Sequence, residues 1–220
     1  VFTSKIQELN CPTIWVKDAK ILENRLNWAK YRDLEYPLSL LGEVQLTNSA
    51  LAIAACQILQ QQGWNITTTA IQAGMKKTRW LGRLQWTNWK NLSLLVDGAH
   101  NPAAAIALRN YVDTQAKSVI WVMGMLSTKD HEDIFKALLR PQDELHLVPV
   151  PEHSTAEPQE LAELAQQVCP QLSQCQTYPD LFTALDRVEK EKQNSDRLVV
   201  LCGSLYLIGY FFKRLYRDFL

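Results

Sequence analysis

The sequence predicts an α/β fold: a Rossmann-like, mostly parallel sheet flanked by helices, preceded by the tail of another α/β domain. Three observations carry this. From residue 84 onward, short apolar runs alternate with helix-forming segments, the rhythm of βαβ units. The run Leu198-Val199-Val200-Leu201 is apolar throughout, as in a strand covered on both faces. Leu92-Ser93-Leu94-Leu95-Val96 stops at Asp97-Gly98-Ala99-His100-Asn101-Pro102 before a helix-forming run opens, so polar chemistry gathers in a strand-to-helix turn.

Residues 1–46 read as irregular, opening on what looks like the end of a strand. Thr13–Lys17 and Leu26–Tyr31 are strand candidates, and Tyr36–Leu41 is a possible partner, placed near an edge by Pro37. A helix follows, capped by Thr47 or Asn48, with apolar positions Leu51, Ala54, Ala55, Ile58 and Leu59, and ended by Gly63. A short helix starts at the Thr67-Thr68-Thr69 cap and runs to about Ala73, with Gly74 after it. Lys76–Arg83 is a basic, glycine-broken connector. The expected organisation is therefore 1–75 as the C-terminal part of a central domain, 76–83 as an interdomain hinge and 84–220 as a C-terminal α/β domain.

Within that last part the strand candidates are Leu84–Thr87, Leu92–Val96, Ser118–Met123, Glu144–Val148, Gln174–Tyr178 and Leu198–Cys202. Helices are expected at 102–114, 130–140, 157–168, 179–193 and 204–217. In a doubly wound sheet the carboxyl-end turns converge on one rim. They carry Asp97, His100 and Asn101, then Ser127, Thr128, Lys129 and Asp130, then Glu152, His153 and Ser154, then Gly203 and Ser204. Asp97 can accept from two ribose hydroxyls, His100 can donate to a phosphate or ribose oxygen, and Lys129 can meet an anion. The helix N-terminus behind the turn also suits phosphate. Asp130 and Ser204 are equally well explained as helix caps. His131, His146 and His153 show no metal-ligand spacing with the cysteines, and surface or capping roles are expected of them. Lys190, Lys192, Arg197 and Lys213-Arg214 read as a solvated helix face.

Composition narrows the function. Lys+Arg and Asp+Glu both number 23, so bulk charge gives no reason to expect a nucleic acid or a membrane surface. The 5 cysteines are scattered without a C-x-x-C, which favours free thiols in a reducing compartment and hence a cytoplasmic protein. The longest apolar stretch, Leu198 to Phe212, is about 15 residues against the roughly 20 of a membrane span. No Walker-type phosphate loop, no G-x-G-x-x-G after a strand and no G-x-S-x-G elbow is present.

Five stretches in order resemble the folylpolyglutamate synthase/dihydrofolate synthase family of the Mur ligase superfamily. Asp97-Gly98-Ala99-His100-Asn101-Pro102 is similar to its signature. Leu40–Ala50 resembles L-x-G-x-H-Q-x-x-N-A, Trp80–Gln85 resembles W-P-G-R-x-E, Met123–Asp130 resembles G-x-x-x-D-K-D, and Cys202–Leu207 resembles the closing G-S-L-Y-L. The sequence departs from these patterns at Val44 (family His), Leu81 (Pro), Gln85 (Glu) and Thr128 (Asp), and lacks an Arg around Pro151–Ser154.

The resemblance implies an ATP- and Mg²⁺-dependent ligase. Such an enzyme adds L-glutamate to dihydropteroate or folate through an acyl phosphate. It implies nucleotide contacts from Asn48 on the adenine side, Arg83 at the phosphates, and Asp97 and His100 at ribose and phosphate. Lys129 and Ser204 would contact substrate. The P-loop and metal ligands would lie in an N-terminal half outside these residues, so no catalytic or metal residue is assigned. The expectation is a monomeric C-terminal portion, inactive alone. The alternatives are another Mur-type amino-acid ligase, or a catalytically dead nucleotide-binding or interaction module.

Overall fold

The computed structural model describes residues 2–115, 118–192 and 196–216. The chain divides into two compact units, Val1–Arg79 and Trp80–Leu220.

The first unit begins with helix α1, Phe2–Leu9, where irregular chain was expected. None of its residues is buried, so no packing pattern announced it. Thr13–Lys17 forms no strand, despite its β-branched and aromatic composition. A three-stranded antiparallel sheet follows, with β1 at Lys20–Ile21, β2 at Trp28–Tyr31 and β3 at Leu34–Pro37. The β2–β3 hairpin is tighter than expected: its turn is Arg32-Asp33, with Arg32 at φ 52°.

Helix α2 spans Val44–Gln61, so Thr47 and Asn48 lie inside it rather than capping it. Its buried apolar face is Ala50, Ile53 and Ala54, whereas Leu51 and Ala55 of the expected stripe are exposed, so the buried face is rotated from the one the spacing picked out. The Tyr36 hydroxyl and Ser49 Oγ, 2.6 Å apart and buried, pin α2 to β3. Helix α3, Thr68–Lys77, is capped by Thr67, whose Oγ1 accepts from Ala70 N–H at 3.1 Å. It runs through Gly74, so Lys76 and Lys77 belong to its last turn and not to a connector.

The second unit is a six-stranded sheet in the order β4-β5-β9-β6-β7-β8. The strands are β4 Gln85–Trp89, β5 Leu92–Val96, β6 Val119–Met123, β7 Glu144–Leu147, β8 Gln174–Thr177 and β9 Leu198–Cys202. Only the β4–β5 pair is antiparallel. The helices are α4 Pro102–Asp113, α5 His131–Leu138, α6 Pro158–Val168, α7 Leu181–Glu191 and α8 Leu205–Leu215. Positions 193 and 217 of the expected helices lie outside the described residues.

Alternation along the strands sorts the core into two layers. Leu95, Trp121, Met123, Leu145, Leu147 and Val200 pack under α4, α5 and α6. Leu94, Val96, Ile120, Val122, Val199 and Leu201 pack under α7 and α8. Each fully buried large apolar side chain contributes roughly 1.5–3 kcal/mol, and both faces of the sheet are filled in this way. Arg197 is not on a helix face but pairs with Glu144 at the start of β7.

His146 departs from its expected surface role. It is fully buried on β7, with Nδ1 3.0 Å from the Tyr178 hydroxyl and Nε2 without a hydrogen-bond partner. Burial lowers its pKa from 6.5 to about 4, with Glu191 opposing the shift and Arg187 adding to it. Between pH 6.5 and about 4 the unfolded chain therefore binds a proton that the folded chain refuses, and stability falls as pH falls. Between pH 7 and 5 this amounts to about 2 kcal/mol. Denaturant melts should show that loss in the wild type and not in His146→Leu. An equal acid sensitivity in both would rule His146 out as its source.

Candidate functional site

Strands β5, β9, β6 and β7 run parallel, so their carboxyl ends share one edge of the sheet. There the turns approach one another through backbone. Asp97 N–H donates to Leu201 O at 3.0 Å, and Gly203 N–H donates to Ala99 O at 2.9 Å. Gly203 sits at φ 103°, and a Cβ on it would lie 2.7 Å from Gly124 O. A Cβ on Gly124 would lie 2.7 Å from Val148 O. These two glycines let three strand-end turns touch, which any side chain would prevent.

The Asp97 turn is also clipped to the segment that leads into β4. Gly98 N–H donates to Gly82 O at 2.8 Å, and Leu84 N–H donates to Asp97 Oδ2 at 2.9 Å. Asp97 Oδ1 accepts from Ala99 N–H at 2.8 Å. Gln85 Oε1 accepts from Gly82 N–H at 3.0 Å, so at this position an amide oxygen supplies the acceptor that a carboxylate could. Trp80–Gln85 and Asp97–Asn101, far apart in sequence reading, are thus one constellation with Arg83 held between the two clips.

Each candidate side chain can now be placed. Asp97 is 7% exposed, and both its oxygens already accept backbone N–H groups. Burial raises its pKa; the Leu84 and Ala99 donors and the charges of Arg83 and His100 oppose that rise. His100 is half-buried, and its Nδ1 donates to Gly98 O at 2.8 Å. That bond fixes the ring and leaves Nε2 as the nitrogen available to a ligand. Arg83 is half-buried. Asn101 caps α4, its Oδ1 accepting from Ala104 N–H at 2.9 Å, with Pro102 at the first helical position.

Ser204 is 2% exposed and its Oγ accepts from Tyr206 N–H at 3.2 Å, the capping alternative of the sequence reading. Lys129 is half-buried in the turn after β6, while Asp130 makes no side-chain cap bond. That turn is zipped to the one after β7: Ser127 N–H donates to Ser154 O at 2.9 Å, and the two hydroxyls are 3.0 Å apart. Sequence alone did not reveal this pairing, nor the His153–Tyr206 ring contact at 3.7 Å between centroids.

Arg83, Asp97 and His100 therefore converge, with Ser204 adjoining through the Gly203–Ala99 bond and Lys129 in a neighbouring turn. Asn48 is exposed on α2 of the first unit, its Nδ2 donating to Gln45 Oε1 at 3.2 Å. Among the described residues no group of three or more His, Cys, Asp or Glu has the arrangement of a metal site. All five cysteines are free, and burial raises Cys175 to about 11 and Cys202 well above its ordinary value. Thiolate chemistry is therefore disfavoured at both.

Comparison with known proteins agrees with this architecture. The family model "Dihydrofolate synthetase, C-terminal domain" matches residues 82–214. The chain is 31% identical to a probable dihydrofolate synthetase of Schizosaccharomyces pombe, over 96% of this chain and 53% of that protein. It is 27% identical to the dihydrofolate synthetase of Saccharomyces cerevisiae, over 88% of this chain and 49% of that protein. It thus spans about half the length of the curated relatives it matches. Folylpolyglutamate synthase of Mycobacterium tuberculosis, solved with ADP and AMPPCP, superposes with a TM-score of 0.73 at 23% identity, over 92% of this chain and 47% of that one. That likeness is one of fold.

Proposed function

From membership of the dihydrofolate synthetase family, to which this chain belongs, we infer that it forms the C-terminal portion of an ATP-dependent ligase joining L-glutamate to dihydropteroate or a folate. The observation that carries this reading is the double clip between Trp80–Gln85 and Asp97–Ala99, which sets Arg83 and His100 beside one helix N-terminus. A guanidinium, an oriented imidazole nitrogen and the positive end of the α4 dipole suit a nucleotide's phosphates and ribose.

In this reading Asp97 acts first as the organiser of the turn. Its two backbone bonds fix Leu84 and Ala99, and so fix the residues on either side that face the ligand. His100 Nε2 meets an oxygen of the nucleotide, and Arg83 neutralises phosphate charge. Bound ATP supplies the energy for amide formation by activating the acceptor carboxylate. Lys129 is assigned to the glutamate, and Ser204 holds the start of α8 beside it. Asn48 is assigned to the adenine side, and residues 78–83, the chain that follows α3, to the hinge. Among the described residues no group of three or more His, Cys, Asp or Glu is arranged to hold a metal, so no residue of this chain is assigned to Mg²⁺.

The chain carries no Walker-type phosphate loop, which supports its insufficiency alone. The test is ADP formation with ATP, L-glutamate and dihydropteroate. The longer protein containing this chain should turn over only with all three, and the 220-residue chain should not. Turnover by the chain alone would overturn its insufficiency. Turnover of the longer protein with other acceptors but no pteroate would overturn the folate assignment.

A further inference from the structure

The first unit holds a cleft of about 650 Å³ that the proposed ligase site does not use. It lies between the chain leading into β1 and the β2–β3 hairpin. Its volume is that of a small-molecule site. Lys17, Lys20, Lys30 and Arg32 line it against a single carboxylate, Asp18, in a chain whose charges balance overall. Asp18 offsets one of these four charges, its Oδ1 held by the Thr47 hydroxyl at 2.7 Å, and leaves the cleft with an excess of positive groups.

The strand register shows that this clustering is not cost-free. Lys20 and Lys30 are directly opposite partners across β1 and β2. Like charges in that position destabilise a strand pair. Glu35, opposite Lys30 on β3, forms an exposed ion pair with it at 3.8 Å and offsets that repulsion only in part. At the cleft's wall the Trp15 side chain is 70% exposed and Ile21 is 60% exposed. An exposed indole beside that lysine pair suits a molecule with a flat ring and several negative groups, the ring stacking on the indole and the anions meeting the excess positive charge.

We propose that this cleft binds an aromatic oligoanion, a planar ring system bearing two or more carboxylates or phosphates. A nucleoside triphosphate and a pteroyl-oligoglutamate share that chemistry. The second is included on the strength of the folate reading above; the first does not depend on it.

The test is calorimetric titration of the full chain with pteroyl-triglutamate, pteroic acid, ATP and tripolyphosphate. The wild type should bind at least one of the two aromatic oligoanions more tightly than tripolyphosphate. Pteroyl-triglutamate should also exceed pteroic acid if the source is a folate. Lys20→Glu should weaken the tightest ligand about tenfold or more. Its melting temperature should stay level or rise, because the substitution replaces a repelling pair by an attracting one. Trp15→Ala should weaken the aromatic ligands and leave tripolyphosphate unchanged. Affinity unaffected by Lys20→Glu would overturn the site. Aromatic ligands indifferent to Trp15→Ala would overturn the ring's part in it. Tight ATP with weak pteroyl-triglutamate would assign the site to nucleotides and leave the ligase reading untouched. Loss of pteroate-dependent turnover in the longer protein would strike that reading without touching the ATP arm.

Discussion

Replacing Asp143 with alanine is expected to destabilise the second unit by about 3–5 kcal/mol. In thermal melts the transition should fall by roughly 10 °C or more. Asp143 precedes β7 and is fully buried, yet every direction around it is answered. Oδ1 accepts from Val119 N–H at 2.9 Å. Oδ2 accepts from Arg109 Nη1 at 2.7 Å, Trp121 Nε1 at 3.0 Å and Arg140 N–H at 3.1 Å. Alanine leaves the buried Arg109 guanidinium with only the half-exposed carboxylate of Asp113, and strands three further donors.

A second substitution separates these contributions. Adding Arg109→Met to Asp143→Ala removes the stranded charge, so part of the stability should return. Full recovery is not expected, because Val119, Arg140 and Trp121 still lack their acceptor. If the double variant regained wild-type stability, the ion pair alone would account for the loss. If Asp143→Ala melted within a degree or two of the wild type, the network would have no stabilising role.

Much of the second unit is legible in the sequence. β5 and β9 fall where the apolar runs place them, since strands covered on both faces announce themselves by continuous hydrophobicity. The helices between them were equally plain, because each must turn one apolar face to the sheet. The first unit was less readable for a physical reason. Helix α1 buries nothing, and Thr13–Lys17 has strand-forming residues with no strand to pair with. Propensity without a packing partner misled in both directions. At the site, the motifs were visible but their mutual bonds were not. No local pattern tells that Leu84 N–H ends at Asp97 Oδ2, or that Ser127 zips to Ser154. His146 illustrates the same limit: a histidine on an alternating strand reveals its face only when the register is known.

Asp97→Asn is expected to weaken ADP binding by about tenfold or more while lowering stability by about 1–3 kcal/mol. The reasoning starts from the two N–H groups that the carboxylate receives, those of Leu84 and Ala99. An asparagine can offer an oxygen to only one of them, and its amide N–H₂ faces the other donor. Either the Leu84 clip or the Ala99 clip must open. Opening the first frees Arg83 from the turn; opening the second shifts the segment that orients His100. Both lose the alignment on which phosphate and ribose contacts rest, so affinity and stability should fall together. Arg83→Ala provides the contrast. It leaves the Leu84 N–H bond in place, because that bond uses backbone, and should cut ADP affinity with little change in melting temperature. The two variants together distinguish an organiser from a ligand contact. Unchanged ADP affinity in Asp97→Asn, despite a lowered melting temperature, would make the carboxylate structural alone. Unchanged affinity in Arg83→Ala would remove the guanidinium from the nucleotide site.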